Sequence, residues 1–193
     1  MDGNIGYITL KSIKYEEIPI IKKEFINTKG IIIDIRNYPS AFVTFALGSF
    51  FVSKNTPFVK FTHGNPDNPG EFNFTSPEII QKPDESYPGK LVVIVNEFTQ
   101  SSAEYTAMVF QAGYNTTIIG SQTAGADGNV SEIALPGGLK TMISGIGVYY
   151  PDGRQTQRIG IVPDIEVKPT IKGIMEGRDE LLGKAIEIIS SDK

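Results

Sequence analysis

Residues 96–109 read N-E-F-T-Q-S-S-A-E-Y-T-A-M-V and follow directly on the apolar run K-L-V-V-I-V. A buried strand that ends near Thr99, Ser101 and Ser102 and opens at once into an apolar helix places hydroxyl groups beside unpaired helix N–H groups. The helix dipole there favours developing negative charge. Such a junction suits acyl transfer. A serine hydroxyl attacks a carbonyl carbon, and the neighbouring N–H groups, that of Ser102 first, receive the oxyanion, at about 3–4 kcal/mol per donor. The same residues have a plainer use: Ser101 or Thr99 can cap the helix, with Glu104 completing a capping box. The two roles are compatible.

Few other residues offer chemistry. The one histidine, His63, stands in Thr62-His63-Gly64-Asn65 on a proline-rich stretch, a setting more typical of an exposed loop than of a catalytic base. Asp34, Glu97 and Glu104 fall at strand ends or helix starts, where capping and ion pairing are the common roles. Gly125-Ala126-Asp127-Gly128 fits neither a P-loop nor a dinucleotide fingerprint, and Asp127 alone does not make a cation site, so no cofactor and no metal is expected. The absence of cysteine excludes thiol catalysis, disulfides and cysteine-ligated metals. A formal net charge of −4 offers no basic field for nucleic acid or an anionic membrane. No apolar stretch approaches membrane-spanning length.

The elements that must position these residues follow from periodicity. Residues 5–10, 31–35, 91–95, 117–119 and 165–167 read as strands, and 58–62 as a short one. Residues 15–27, 41–52, 102–112 and 177–190 carry helical spacing. The helix at 102–112 is apolar on most faces and should be buried. Strand, helix and strand in repetition predict an α/β fold with a mainly parallel sheet and crossover helices, and hairpin turns at 135–138 and 150–153 predict a β-rich C-terminal part. Pro57, Pro66, Pro69, Pro77, Pro83 and Pro88 mark 55–90 as a loop-rich excursion over that core. With 193 residues, 40% of them hydrophobic and 21% charged, the chain reads as one domain spanning 1–193.

Five segments, in order, carry a family resemblance: Ile5-Gly6-Tyr7-Ile8-Thr9-Leu10; Gly30-Ile31-Ile32-Ile33-Asp34-Ile35-Arg36-Asn37; Val93-Ile94-Val95-Asn96-Glu97 leading to Ser101-Ser102-Ala103-Glu104; Gly120-Ser121-Gln122-Thr123-Ala124-Gly125; and Gly160-Ile161-Val162-Pro163-Asp164-Ile165-Glu166-Val167. The chain resembles the catalytic core of the carboxyl-terminal processing (tail-specific) serine peptidases and their tricorn-like relatives. That resemblance implies a crotonase/ClpP-like core, a peptide or protein substrate, an extracytoplasmic setting and, counting back from Glu104, Ser101 as nucleophile.

The departures from the family pattern concern the general base. The tail-specific branch uses a lysine where this chain has Gly125-Ala126-Asp127-Gly128-Asn129, and an aspartate there is a poor replacement unless burial raises its pKa. The tricorn-like branch uses a histidine from upstream, to which His63 does not correspond in chain order, and a glutamate where Gln157 stands. Gln157 can orient a partner by hydrogen bonding but carries no charge. Pro39-Ser40 replaces the family's Gly-Gly, leaving the Ser40 N–H as the candidate second oxyanion donor. Two accounts fit: a peptidase core excised from a longer chain, with its base outside residues 1–193, or a degenerate peptidase that binds peptides without cutting them. A crotonase-type acyl-CoA enzyme shares the fold, but fold alone does not transfer function.

Overall fold

Ile31-Ile32-Ile33 and Leu91-Val92-Val93-Ile94-Val95 are apolar without a break, as strands covered on both faces require. In the computed structural model, which describes residues 4–191, both lie at the centre of a sheet. In chain order the first elements are β1 (Ile5–Thr9), α1 (Ile18–Phe25), β2 (Gly30–Asp34), α2 (Thr44–Gly48), β3 (Thr56–Gly64), β4 (Phe72–Phe74) and β5 (Glu78–Ile80). Then come β6 (Lys90–Val95), α3 (Ser102–Gln111), β7 (Thr116–Gly120), β8 (Val130–Ala134), β9 (Lys140–Ser144), β10 (Gly147–Tyr149), β11 (Ile165–Glu166), α4 (Ile171–Met175) and α5 (Glu180–Ser190).

Five strands pair in the order β1-β2-β6-β7-β11, all parallel. Alternation of side chains along each strand divides the core. Ile31, Ile33, Leu91, Val93 and Val95 pack with Ala103, Ala107 and Phe110 of α3, while Ile32, Val92, Ile94 and Ile119 pack with Leu181, Ala185 and Ile189 of α5. Helices on both faces thus make this an α/β core with a buried parallel sheet. A buried hydrogen bond of 2.8 Å between Thr44 and Thr106 joins α2 to α3. The Arg36 guanidinium bridges Asp34 (2.6 Å) and Asp179 (2.7 Å), clamping the end of β2 to the start of α5.

Three sequence readings need correction. The 55–90 excursion is less irregular than expected: β3 runs nine residues and pairs antiparallel with β4, β5 and β10. Prolines sit at its joints, and Pro57 is accommodated beside an irregularity in the β3–β5 register. The helix read over 41–52 is only α2, followed by a 3-10 turn at Ser49–Phe51. That turn drops Phe50 and Phe51 into an aromatic cluster with Tyr87 and Phe110. The last helix begins at Glu180 because Asp179 caps it, accepting from the Leu182 N–H at 3.0 Å, while residues 171–175 form the separate α4.

The chain leaves β7 toward the candidate site through Gly120, whose φ is 126° and where a Cβ would fall 1.9 Å from the Val95 carbonyl oxygen. The backbone of β6 leaves no room to yield. Gly120→Ala should lower the unfolding free energy in urea by about 2 kcal/mol or more, since both strain and clash act at one position.

Candidate active site

Ser101 lies at the junction between β6 and α3, with φ 53° and ψ −124°. A non-glycine residue at positive φ is uncommon, and holding it there costs about 1–3 kcal/mol, which the surrounding structure must impose. Two anchors impose it. On the strand side, the Thr99 hydroxyl donates to the Ile35 carbonyl (3.0 Å) and accepts from the Asn96 N–H (3.1 Å), fixing the turn against β2. On the helix side, the Glu104 carboxylate accepts from the Ser101 N–H at 3.1 Å. Ser101 and Glu104 thus stand as the reciprocal pair of a capping box, although the Ser101 hydroxyl itself makes no well-formed cap bond.

Glu104 does more than cap. It is fully buried, and its carboxylate also accepts from the Thr123 hydroxyl (2.5 Å) and from the N–H groups of Gly125 (2.7 Å) and Ala126 (2.8 Å). Thr123 in turn accepts from the Ile161 N–H at 2.7 Å, and the Arg158 N–H donates to the Gly125 carbonyl at 2.6 Å. One carboxylate therefore ties α3 to the loop after β7, and through it to the 156–161 segment. The sequence reading took Glu104 as a cap or an ion-pair partner. Its spacing from Ser101 was visible, but the donors that return to it from 123–126 were not.

Ser101 and Ser102 open onto a cavity of about 470 Å³, walled by Phe42, Phe61, Tyr105 and Val148 and reached by Glu78 and Asp127. The Tyr105 ring stacks near-parallel with Phe42 (19° between planes) and Phe61 (25°), and its hydroxyl donates to Glu78 at 2.8 Å. Burial and the neighbouring Glu78 push the Tyr105 phenol well above its ordinary range, so it acts as a donor here. Asp127 is 7% exposed. Its Oδ1 accepts from the Gly128 N–H at 2.7 Å, whereas its buried Oδ2 has no hydrogen-bond partner among the described residues. Burial, opposed by that N–H and assisted by the charge of Glu104, pushes its carboxyl up to about 7.

The other residues singled out in the sequence fall elsewhere. Ser102 is the first residue of α3 and borders the cavity, with an N–H that has no carbonyl one turn back. Ser40 is turned away: its N–H donates to the Leu10 carbonyl (2.9 Å) and its hydroxyl to the Ile13 carbonyl (2.6 Å). As placed, it has no free donor for an oxyanion. His63 is exposed on β3 opposite Asn73 and does not line the cavity. Gln157 holds the loop rather than Ser101, donating through Nε2 to the carbonyls of Asp127 (2.8 Å) and Ile146 (2.8 Å). Among the described residues no helix is long and apolar enough to cross a membrane.

The chain is similar to known peptidases. The chain is 26% identical over 197 residues to a carboxy-terminal-processing protease of Bartonella bacilliformis, covering 96% of this chain and 44% of that protein. It is 23% identical over 191 residues to a putative tricorn-like protease C-terminal subunit of Sulfurisphaera tokodaii, covering 96% of this chain and 21% of the relative. The chain thus spans less than half the length of these relatives. Among solved structures, a putative peptidase from Parabacteroides merdae superposes with a TM-score of 0.88 at 22% identity, covering all of this chain and 63% of that one. The model of peptidase family S41 matches residues 4–167, most of the sequence and all the segments that build the cavity, and the chain belongs to that family.

Proposed function

We propose that this protein is the core of a serine-type peptidase that cleaves peptide bonds through an acyl-enzyme on Ser101. The observation that carries the reading is Ser101 itself, held at φ 53° where a buried strand meets a helix, beside the cavity and next to the first N–H groups of α3. Local strain maintained by a buried carboxylate and a buried threonine supports the reading that the Ser101 hydroxyl is presented to the cavity. The Ser101 oxygen adds to the carbonyl carbon of a bound peptide. The resulting oxyanion is received by the Ser102 N–H. Collapse expels the amine and leaves an ester, which water then hydrolyses.

The hydroxyl proton needs an acceptor. No lysine or histidine borders the cavity among the described residues, Gln157 is engaged with carbonyls, and Asp127, although burial raises its carboxyl, makes no hydrogen bond to Ser101. We place the base in sequence beyond this chain. That same vacancy favours a second reading, a degenerate peptidase that holds an extended peptide in the cavity without cutting it.

A fluorophosphonate reagent separates the two readings, because phosphonylation of a serine needs the activated hydroxyl but no peptide specificity. On the full-length protein we expect stoichiometric labelling, mapped to Ser101 by mass spectrometry and lost in Ser101→Ala. An unlabelled Ser101 in a folded full-length protein would establish the binding-only reading.

A further inference from the structure

We infer that the cavity beside Ser101 selects a basic side chain, lysine or arginine, at the residue preceding the cleaved bond, and that Asp127 is the group that recognises it. This rests on the proposed role of Ser101, which fixes the cavity as the place where that side chain must sit.

The walls supply the first half of the argument. Phe42, Phe61, Tyr105 and Val148 make an apolar, largely aromatic passage, and the Tyr105 ring lies near-parallel to those of Phe42 and Phe61. Such a wall receives the methylene stem of a long side chain, and ring faces attract a cation that passes over them. The charge supplies the second half. The ionisable side chains that reach the cavity are Glu78, Asp127 and the phenols of Tyr38 and Tyr105, and among the described residues no lysine or arginine lines it. An acidic side chain entering here would meet carboxylates with nothing to offset them.

The two carboxylates are not equivalent. Glu78 already takes the Tyr105 hydroxyl at 2.8 Å. Asp127 sits on a residue more than nine-tenths buried, with one oxygen occupied by the Gly128 N–H and the other buried without a partner among the described residues. An unpartnered buried carboxylate oxygen is costly, and a site keeps one where a ligand completes it. Turned toward the cavity that Asp127 lines, that oxygen accepts the missing hydrogen bond from an ammonium or guanidinium group, which also supplies the missing charge. It also neutralises a negative charge in the cavity that Ser102 borders, where an oxyanion would form, so the cation that fits the cavity also favours the reaction there.

The test separates binding from chemistry. Ser101→Ala, which can form no covalent adduct, is titrated by calorimetry at pH 8 with acetyl-Ala-Ala-Lys-amide and with the neutral, near-isosteric acetyl-Ala-Ala-norleucine-amide. We expect the lysine peptide to bind at least tenfold more tightly. That ratio should fall to near one when Asp127→Asn is added, and should persist when Glu78→Gln is added instead. Equal affinity for the two peptides, or a ratio that survives Asp127→Asn, would overturn the inference and mean that Asp127 takes up a proton rather than a cation. Loss of the ratio in Glu78→Gln alone would overturn the assignment to Asp127. Because the titration does not use the Ser101 hydroxyl, failure of fluorophosphonate labelling with the lysine preference intact would remove the peptidase reading alone. Labelling without a preference would remove only the specificity.

Discussion

Glu104→Ala should remove about 4–5 kcal/mol of stability and abolish any labelling of Ser101. Four donors converge on this one fully buried carboxylate: the N–H groups of Ser101, Gly125 and Ala126 and the hydroxyl of Thr123. Each buried donor left without an acceptor costs about 1–3 kcal/mol, and the vacated side-chain volume adds a cavity term. Relaxation of the loop and entry of water recover part of that sum, hence the lower total. The informative variant is Glu104→Gln, which keeps the shape. Its amide has one acceptor oxygen, so whichever way it turns, its NH2 group faces at least one backbone N–H, on Ser101 and Ala126 or on Gly125. We expect a loss of about 2 kcal/mol in urea titration and slower fluorophosphonate labelling, since the Ser101 N–H is no longer held. A Glu104→Gln protein within about 0.5 kcal/mol of the parent would show that the four contacts do not share one anchor.

The parallel core could be read because its physics is local. The unbroken apolar runs at Ile31–Ile33 and Leu91–Val95, the turn residues between them and the nearly all-round apolar 102–112 segment each state their environment within a few residues. β4 could not be read that way. Its three residues, Phe72–Phe74, alternate but are too few to signal a strand and are all exposed, and its strand character comes from the distant β3 edge. The candidate site divides similarly. The position of Ser101 and Ser102 at the strand–helix junction was legible from the order of residue types, while the role proposed for Ser101 came from the family resemblance. The hub at Glu104 and the orphaned oxygen on Asp127 were not, because both are defined by what folds back on them: residues 123–126 in one case, the walls of a cavity in the other. Ser40 shows the converse error. Its place after the β2 turn matched a family position, while its N–H is drawn off by Leu10, a contact across 30 residues.

Asp127→Asn should make the protein more stable at pH 8 by about 4 kcal/mol while changing little below pH 4. The carboxyl of Asp127 is raised from 3.8 to about 7, first by burial and then by the charge of Glu104, with the Gly128 N–H working in the opposite direction. Between those two values the folded protein holds a proton that the unfolded chain has released. Stability therefore falls as pH rises from about 4 to 7 and stays reduced above, by about 1.4 kcal/mol per unit of displacement. Asparagine keeps the acceptor for the Gly128 N–H and never charges, so this component of the slope vanishes in the variant. Other carboxylates held low in the fold, Asp179 by Arg36 among them, lose stability in the opposite direction as pH falls, so the quantity to follow is the difference between parent and variant. Urea titrations at pH 4, 5.5, 7 and 8 should show that difference growing with pH and levelling above 7. A difference independent of pH would mean that Asp127 does not carry the strain of an unpaired buried charge. A difference that grows in the free protein and shrinks when acetyl-Ala-Ala-Lys-amide is bound would tie this instability to the cavity, since the ligand's cation neutralises in the complex the charge that destabilises the free fold.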